Sequence, residues 1–397
     1  MPERASESSG VGRTASGTGS PSMALVERAA ILGVGLMGGS LGLRWRQSGA
    51  VSHVVGFSRT PERLHRALEL GAIDELAPDI ATAVTGADLV VLCTPIRAAM
   101  AMAPAVVAAA GPGCLITDVG STKAAISRAM ADAMAARGRP AEDAAPVFVG
   151  GHPMAGTEKA GVEAADPYLF EQAVWVVCPQ PGGPASATEL LCHLVAATGA
   201  HPVCLDPERH DARVAAISHL PQLCAVALAE AAGLAESGDS GVLSMAGGGF
   251  RDTTRIAESP AEFWLDVLET NRFPVLAQID QMQALLEALR IAVAHGDRAT
   301  VAQHFEAARA VRQRVPSRQK GLLPAYHDLV LFVPDRPGVL GRLCGVLGER
   351  GINVQDIEIL RLREGEGGTL RLGFAAAEAA AAALVVLREL GYAAQHR

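Results

Sequence analysis

The first half of the chain alternates short apolar runs with longer stretches in which apolar residues recur at helical spacing. Gly, Pro, Asp or a short polar stretch bounds each run, a pattern typical of buried parallel strands. The stretches between the runs, such as TPERLHRALELG, suit crossover helices. This alternation predicts an α/β, doubly wound domain. The apolar runs are AAILGVG, HVVGFS, DLVVLCT, CLITDVG, VFVGGH and AVWVVCP.

The pattern changes after the turn-rich break PQPGGPAS. Long Ala/Leu periodicity then predicts an all-helical domain. The C-terminal part follows the order strand, helix, strand, strand, helix, which predicts a small α+β domain. The predicted segments are a disordered tail at 1–26, the doubly wound domain at 27–182, the helical domain at 183–315, a linker at 316–326 and the α+β domain at 327–397.

Composition argues against several classes of function. The 397 residues carry a net charge of −8 and no basic tract, so we expect no nucleic-acid partner. No run of about 18 uninterrupted apolar residues occurs, so we expect no membrane span. The 7 cysteines form no CxxC pair and predict neither a disulfide framework nor a metal site. Because this cysteine usage fits a reducing cytosol, we predict a cytoplasmic protein.

A glycine-rich turn, ILGVGLMGGSLG, follows the first apolar run in the pattern G-x-G-x-x-G. Such glycines allow a tight turn and a close backbone approach to pyrophosphate, while the following helix offers free N–H groups. In this strand–helix–strand context the motif predicts a dinucleotide-binding Rossmann domain; a purely structural turn is the alternative. We expect the cofactor to contact Gly33, Gly35, Leu36, Met37, Gly38 and, at the end of another run, Thr94.

The end of the second apolar run bears on the choice between NAD+ and NADP+. A carboxylate at this place would bind the ribose 2′-hydroxyl, but Ser58 and Arg59 stand there instead. Because a guanidinium can pair with a 2′-phosphate, we favour NADP+. NAD+ or dual use stays open, since Arg59 could stack on adenine without selecting.

Two further motifs place polar groups at carboxyl ends of predicted strands, where open α/β sheets bind ligands. DVGSTKAAI follows the fourth run, and VGGHPMAGTEKAG follows the next. In the second motif His152 lies on a short stiff loop between Gly and Pro, a suitable place for a general base.

Five motifs resemble the prephenate/arogenate dehydrogenase family: GVGLMGGSLG, DVGSTK, GGHPMAGTE, ISHLPQ and GGGFRDTTRIAESPAEFW. The resemblance implies oxidative decarboxylation of a 4-hydroxycyclohexadienyl substrate. Hydride passes from ring C4 to the nicotinamide, CO2 leaves, and the ring becomes aromatic. By this resemblance, His152 takes the 4-hydroxyl proton and Ser121 helps fix that hydroxyl and the histidine. Ser121 could also cap the helix that begins TKAAI.

The same resemblance assigns residues to substrate binding. Arg255 matches the arginine that grips a substrate carboxylate, for which its planar fork is suited. Arg251, one helical turn earlier, would add positive charge. His219 matches a histidine that shapes the cleft, with a structural role as the alternative. Gly248 would let backbone approach the substrate.

Two weaker candidates and an oligomeric state follow from the resemblance. Glu158 would belong to an ionic network that gates the cleft, and Trp264 would reach the site of a neighbouring subunit; packing or surface roles are the alternatives. The Ala/Leu-rich faces of the helical domain also favour a homodimer with twofold symmetry.

The C-terminal segment resembles an ACT domain through VPDRPGVLGRLCGVLGERGINVQDIEI. The resemblance implies an amino-acid effector, with tyrosine as the expected one, held by the turn at Pro337 and Gly338 and by Asn353. A purely structural dimerisation module is the alternative.

Three alternatives to prephenate oxidation with NAD(P)+ stay open. The first is arogenate as the substrate. The second is a β-hydroxyacid dehydrogenase, which shares GxGxMG but needs a catalytic lysine that the predicted helical domain lacks. The third is a non-catalytic amino-acid or nucleotide sensor, for which loss of His152 or Arg255 would have been evidence.

Overall fold

The structure, a computed structural model, describes residues 24–138, 145–156, 159–315, 327–363 and 367–396. The chain divides into two compact units, residues 1–321 and residues 322–397. Glu158, the linker predicted at 316–326 and most of the predicted tail lie outside the described residues.

An eight-stranded sheet forms the centre of the first unit. Its strands are β1 (Val26–Leu32), β2 (Val51–Phe57), β3 (Glu75–Leu76), β4 (Leu89–Leu92), β5 (Leu115–Asp118), β6 (Val147–Pro153), β7 (Val174–Pro179) and β8 (His201–Cys204). Their order is β3-β2-β1-β4-β5-β6-β7-β8. From β1 the chain adds β2 and β3 toward one edge of the sheet, and from β4 it adds the later strands toward the other edge. Because such a switch point defines a doubly wound sheet, the predicted fold class is confirmed.

Helices pack on both faces of this sheet. Successive strand residues point to opposite faces, so Ile31 belongs to one buried apolar cluster and Leu32 to the other. The helices are α1 (Leu36–Ser48), α2 (Pro61–Glu69), α3 (Ile80–Val84), α4 (Ile96–Ala109), α5 (Ala124–Ala136) and α6 (Ala185–Ala196).

The prediction that all apolar runs form parallel strands is wrong for β7. This strand pairs antiparallel with β6, placing Gly151 opposite Val177. An apolar run reports burial on both faces but not strand direction. Between β6 and β7 the described residues form a 3₁₀ turn at Val162–Ala164 and no α-helix that would carry a parallel crossover.

The predicted domain boundary at residue 182 lies too early. β8 pairs parallel with β7, and α6 is the crossover helix between them. Leu191 and Leu194 of α6 are buried in the same cluster as Ile31 of β1. The doubly wound domain therefore extends to Cys204. Ala/Leu periodicity did not distinguish this crossover helix from the helices that follow.

The rest of the first unit is helical. Its helices are α7 (Pro207–Val214), α8 (Leu220–Gly238), α9 (Gly248–Thr254), α10 (Ala261–Thr270), α11 (Arg272–Ala294) and α12 (Arg298–Arg314). A π turn at Ala215–His219 joins α7 to α8. Large apolar side chains on this segment are exposed, including Ile217, Leu234, Phe273, Leu286 and Phe305.

The continuous helical stretch Pro207–Gly238 is long and apolar enough to cross a membrane by length and composition. However, His210, Asp211 and His219 within it are buried and hydrogen-bonded to neighbouring elements. These polar contacts are those of a helix packed in a protein domain.

The second unit is a four-stranded antiparallel sheet in the order β10-β11-β9-β12, with two helices. Its elements are β9 (His327–Val333), α13 (Val339–Glu349), β10 (Asp356–Arg363), β11 (Gly367–Phe374), α14 (Ala377–Glu389) and β12 (Gln395–His396). The α+β order is confirmed, with β12 as an additional short strand. Asn353 lies in the connection before β10.

Candidate active site

A cleft of about 400 Å³, here called the cofactor cleft, opens at the carboxyl ends of β1, β2 and β4. Parallel strands gather loops from different parts of the chain at this edge of a sheet. Five of the predicted cofactor residues line it: Gly33, Gly35, Ser58, Arg59 and Thr94. Leu36 and Met37 begin α1 and pack against the apolar core, and Gly38 is buried behind them.

The glycines of the turn meet different requirements. Gly33 has a φ of +103°, which strongly favours glycine. A Cβ on Gly38 would lie 2.5 Å from the Gly33 carbonyl oxygen, so glycine allows α1 to approach the turn. A Cβ on Gly35 would meet nothing within 4 Å, although it faces the cleft. This open space fits a close approach of pyrophosphate.

Two further features of the cleft fit a dinucleotide. The Thr94 hydroxyl oxygen is buried without a hydrogen-bond partner among the described residues, so a ligand would supply one. At the mouth, Arg63 of α2 joins Ser58, Arg59 and Thr60 in lining the cleft. Arg63, which lies in the first turn of α2 shortly after Arg59, was not predicted from the sequence. The pair of guanidinium groups would suit a phosphate.

The catalytic candidate His152 lies near the end of β6, on a strongly held strand. Lys123 is fully buried, paired with Asp118, and donates to the Gly151 carbonyl oxygen at 2.7 Å. The Gly151 N–H donates back to Asp118 at 3.1 Å. A Cβ on Gly151 would lie 2.5 Å from the Asp118 carbonyl oxygen, which explains the glycine before the histidine.

A chain of hydrogen bonds runs from His152 into the helical segment. His152 Nδ1 lies 2.8 Å from His210 Nε2, and His210 Nδ1 lies 2.8 Å from Asp211 Oδ1. The Asp211 carboxylate also accepts the N–H groups of Lys123 at 2.7 Å and Ala124 at 2.9 Å. Asp211 therefore caps α5 from a distant part of the chain.

The alternative role of Ser121 as a helix cap is wrong. α5 begins at Ala124, with Lys123 in the N-cap position and no capping bond from its own side chain. The carboxylate of Asp211 satisfies the first N–H groups instead. Ser121 lies partly buried in the loop between β5 and α5, leaving its hydroxyl for another role.

The His152 imidazole is suited to accept a proton. Burial lowers its pKa well below the ordinary value, and the neighbouring His210, Lys123 and His219 side chains also disfavour a positive charge on it. The side chain nevertheless retains partial exposure. It is therefore neutral near pH 7 and accessible to a ligand.

His219, at the end of the π turn, packs below this site. Its Nδ1 accepts from the Asn271 side-chain amide at 3.1 Å, so the ring proton is on Nε2. The same amide donates to the Asp211 carbonyl oxygen at 2.8 Å. Burial lowers the pKa of His219 to about 4. The Trp264 ring meets the His219 ring edge-on at 6.0 Å within the same chain.

The remaining substrate candidates lie around α9. Gly248 is the first residue of α9, and a Cβ there would meet nothing within 4 Å. Arg251 lies in α9, whereas Arg255 begins the 3₁₀ turn that follows. Both arginines are exposed. Gln222 of α8 donates to the Ile256 carbonyl oxygen at 2.9 Å, which fastens this turn to α8.

The predicted effector residues lie in the second unit. Gly338, with a φ of +84°, is the N-cap of α13, and Pro337 precedes it. Pro337, Gly338 and Asn353 are exposed. The turn thus presents N–H groups of a helix N-terminus to solvent.

Sequence comparison identifies three matching domains. Residues 41–204 match "Prephenate dehydrogenase, nucleotide-binding domain", residues 206–307 match "Prephenate dehydrogenase, dimerization domain", and residues 327–379 match "ACT domain". A curated relative, the prephenate dehydrogenase of Bacillus subtilis, is 34% identical over 345 residues, or 87% of this chain and 91% of the relative. The cyclohexadienyl dehydrogenase of Zymomonas mobilis is 29% identical over 73% of this chain and 96% of that relative.

Solved structures give a consistent result. A prephenate dehydrogenase from A. aeolicus, in complex with hydroxyphenyl propionate and NAD+, has a TM-score of 0.67 at 28% identity over 75% of this chain and 100% of that one. The arogenate dehydrogenase of Synechocystis has a TM-score of 0.64 at 26% identity, over 73% of this chain and 100% of its own.

Proposed function

Because this chain belongs to the prephenate dehydrogenase family, we propose that it oxidises and decarboxylates prephenate to 4-hydroxyphenylpyruvate with NAD(P)+. The observation that carries the proposal is the position of His152. This neutral, partly exposed imidazole lies at the same sheet edge as the cofactor cleft. A general base beside a hydride acceptor is the arrangement that this reaction needs.

When bound, NAD(P)+ supplies the acceptor for the hydride that leaves ring C4 of the substrate. His152 accepts the proton of the 4-hydroxyl group at that carbon, so the C4 oxygen becomes a carbonyl-like oxygen. Loss of CO2 leaves its bonding electron pair in the ring, which becomes an aromatic phenolate, and the protonated His152 can return the proton to that oxygen. The lowered pKa of His152 keeps the base neutral at physiological pH.

Other side chains bind and orient the substrate in this proposal. Ser121, free of the capping role, holds the 4-hydroxyl group and His152. The Arg255 guanidinium binds a substrate carboxylate as a planar fork, and Arg251 adds positive charge. Gly248 leaves room beside the substrate, while His219 and Trp264 form the wall of the pocket.

We propose a preference for NADP+ over NAD+. Arg59 and Arg63 line the mouth of the cofactor cleft, just after the end of β2. In Rossmann domains, residues at this strand end contact the adenosine ribose. Ser58 and Thr60 add hydroxyl groups. No carboxylate lines the cleft among the described residues, and two guanidinium groups favour a 2′-phosphate over a hydroxyl.

We also propose a cytoplasmic homodimer regulated by an amino acid. The exposed apolar side chains of the helical segment support a dimer, because burying them against a second copy would remove them from water. The turn at Pro337 and Gly338, with Asn353, would hold the carboxylate and amino groups of tyrosine.

The test is cofactor reduction, followed by absorbance, with prephenate or arogenate and NAD+ or NADP+ in all four combinations. Formation of 4-hydroxyphenylpyruvate supports the proposed reaction, and the ratio of kcat/KM for the two cofactors tests the preference. Turnover of arogenate alone would overturn the substrate. Cofactor binding by folded protein without turnover in any combination would overturn the enzymatic function in favour of a sensor.

A further inference from the structure

We propose that His210 and Asp211 fix the tautomer of His152, and so determine which ring nitrogen acts as the base. This inference rests on the proposed role of His152. It concerns two residues of α7 that sequence analysis did not single out. Both are almost fully buried, with 1% and 2% exposure.

The proton positions along these hydrogen bonds follow from Asp211, the end of the series whose role as an acceptor is fixed. The Asp211 carboxylate accepts backbone N–H groups from Lys123 and Ala124, so it is held as an acceptor. His210 Nδ1, 2.8 Å from Asp211 Oδ1, must then carry its proton. With a neutral ring, His210 Nε2 holds a lone pair and can only accept.

The next step sets His152. Its Nδ1 lies 2.8 Å from His210 Nε2 and must donate to that lone pair. The remaining lone pair of His152 is therefore on Nε2, the nitrogen that points away from His210. Only this tautomer leaves a ring nitrogen free to accept the substrate hydroxyl proton.

This chain of hydrogen bonds from His152 to Asp211 joins two parts of the first unit. His152 belongs to β6 of the sheet, whereas His210 and Asp211 belong to the helical segment. Asn271, preceding α11, donates to the Asp211 carbonyl oxygen and thereby anchors α7. His210 and Asp211 are positioning residues, since they act on the reaction through His152.

The test compares His210→Leu with His210→Gln in the full-length enzyme, using prephenate and the better cofactor. Leucine removes the acceptor for His152 Nδ1–H, so we expect kcat to fall about 100-fold with little change in KM. Glutamine offers an amide oxygen to that N–H, so we expect it to recover at least tenfold of the loss. His201→Leu is the matched control, because it removes a histidine of β8 that is hydrogen-bonded to Gln172.

A second measurement does not depend on turnover or on the folding of the leucine variant. The 15N NMR spectrum of histidine-labelled wild-type enzyme, assigned through His152→Asn and without ligands, should show His152 as the Nδ1–H tautomer. The Nε2–H tautomer would overturn the inference, as would a kcat of His210→Leu equal to that of the wild type. Absence of turnover in the wild type, with the Nδ1–H tautomer present, would instead count against the proposed function.

Discussion

The carbonyl oxygen of Gly33 occupies the space where a side chain on Gly38 would begin, 2.5 Å from the Cβ position. Gly35, between them in the chain, has no such neighbour within 4 Å. We therefore expect Gly38→Ala to lower the melting temperature by several degrees, because overpacking costs about 1–3 kcal/mol.

Gly35→Ala should instead weaken cofactor binding and leave the melting temperature almost unchanged. Its methyl group would enter the space proposed for pyrophosphate, so the Kd for NADP+ should rise at least about tenfold. The melting temperature without cofactor should stay within about 2 °C of the wild type. Calorimetric titration and thermal unfolding of both variants check this contrast. Equal effects of the two substitutions on cofactor affinity would contradict it.

His152→Asn should remove the base while leaving the cofactor cleft intact. We expect kcat to fall about 100- to 10,000-fold, the usual contribution of general-base catalysis. The Kd for the cofactor should be unchanged. His295→Asn, at the exposed end of α11, is a control that should retain full activity. A small loss of kcat in His152→Asn would show that another group takes the proton.

The acid limb of kcat/KM should report the lowered pKa of His152. The base must be neutral, and burial disfavours its charged form. Activity should therefore be retained as the pH falls through 6.5, the ordinary histidine value, and be lost only below it. Steady-state rates between pH 5 and 9, with thermal unfolding at each pH to exclude denaturation, test this. A midpoint at or above 6.5 would contradict the predicted shift.

Cofactor selection should depend on charge at the mouth of the cleft. Replacing both Arg59 and Arg63 with Gln should raise the KM for NADP+ at least about 100-fold, since each charge-assisted hydrogen bond contributes about 1.5–3 kcal/mol and two are lost. The KM for NAD+ should change little. Arg66→Gln, on the same helix but paired with Glu69, is the matched control. An equal rise for both cofactors would indicate adenine stacking instead.

Arg255→Gln should mainly affect substrate affinity. Loss of a guanidinium–carboxylate pair predicts an increase in KM for prephenate of about 10- to 100-fold. Arg251→Gln should have a smaller effect that fades with added salt, as expected for a long-range charge. Arg290→Gln, at an exposed ion pair of α11, controls for surface charge. An unchanged KM for Arg255→Gln would remove it from the substrate site.

Sequence patterns predicted the parts of the fold that depend on burial. Six apolar runs became six strands of the sheet, and the glycine pattern appeared at the expected turn after β1. The direction of β7 was not predictable, because it depends on how a connecting segment packs. The end of the doubly wound domain was missed because α6 has the same Ala/Leu pattern as the later helices.

The candidate site was predicted only where residues lie in distinctive loops. His152 stands between glycine and proline, but His210 and Asp211 lie in PERHDARV, which has the charged character of a solvated helix. The signal was the spacing of Pro207, His210, Asp211 and Val214, the positions that α7 buries. One helical face was therefore inward, although polar. The partners that satisfy it come from elsewhere in the chain.

Because Lys123 is fully buried, its reactivity can report local opening of the structure around His152. The sequence contains three lysines, and this one is fully enclosed against Asp118 and Gly151. An amine-reactive reagent can reach it only when the junction beneath His152 opens. The labelling rate of Lys123, followed by peptide mass spectrometry, would thus measure how often that junction opens. Lys159, which is exposed, serves as the reference on the same chain.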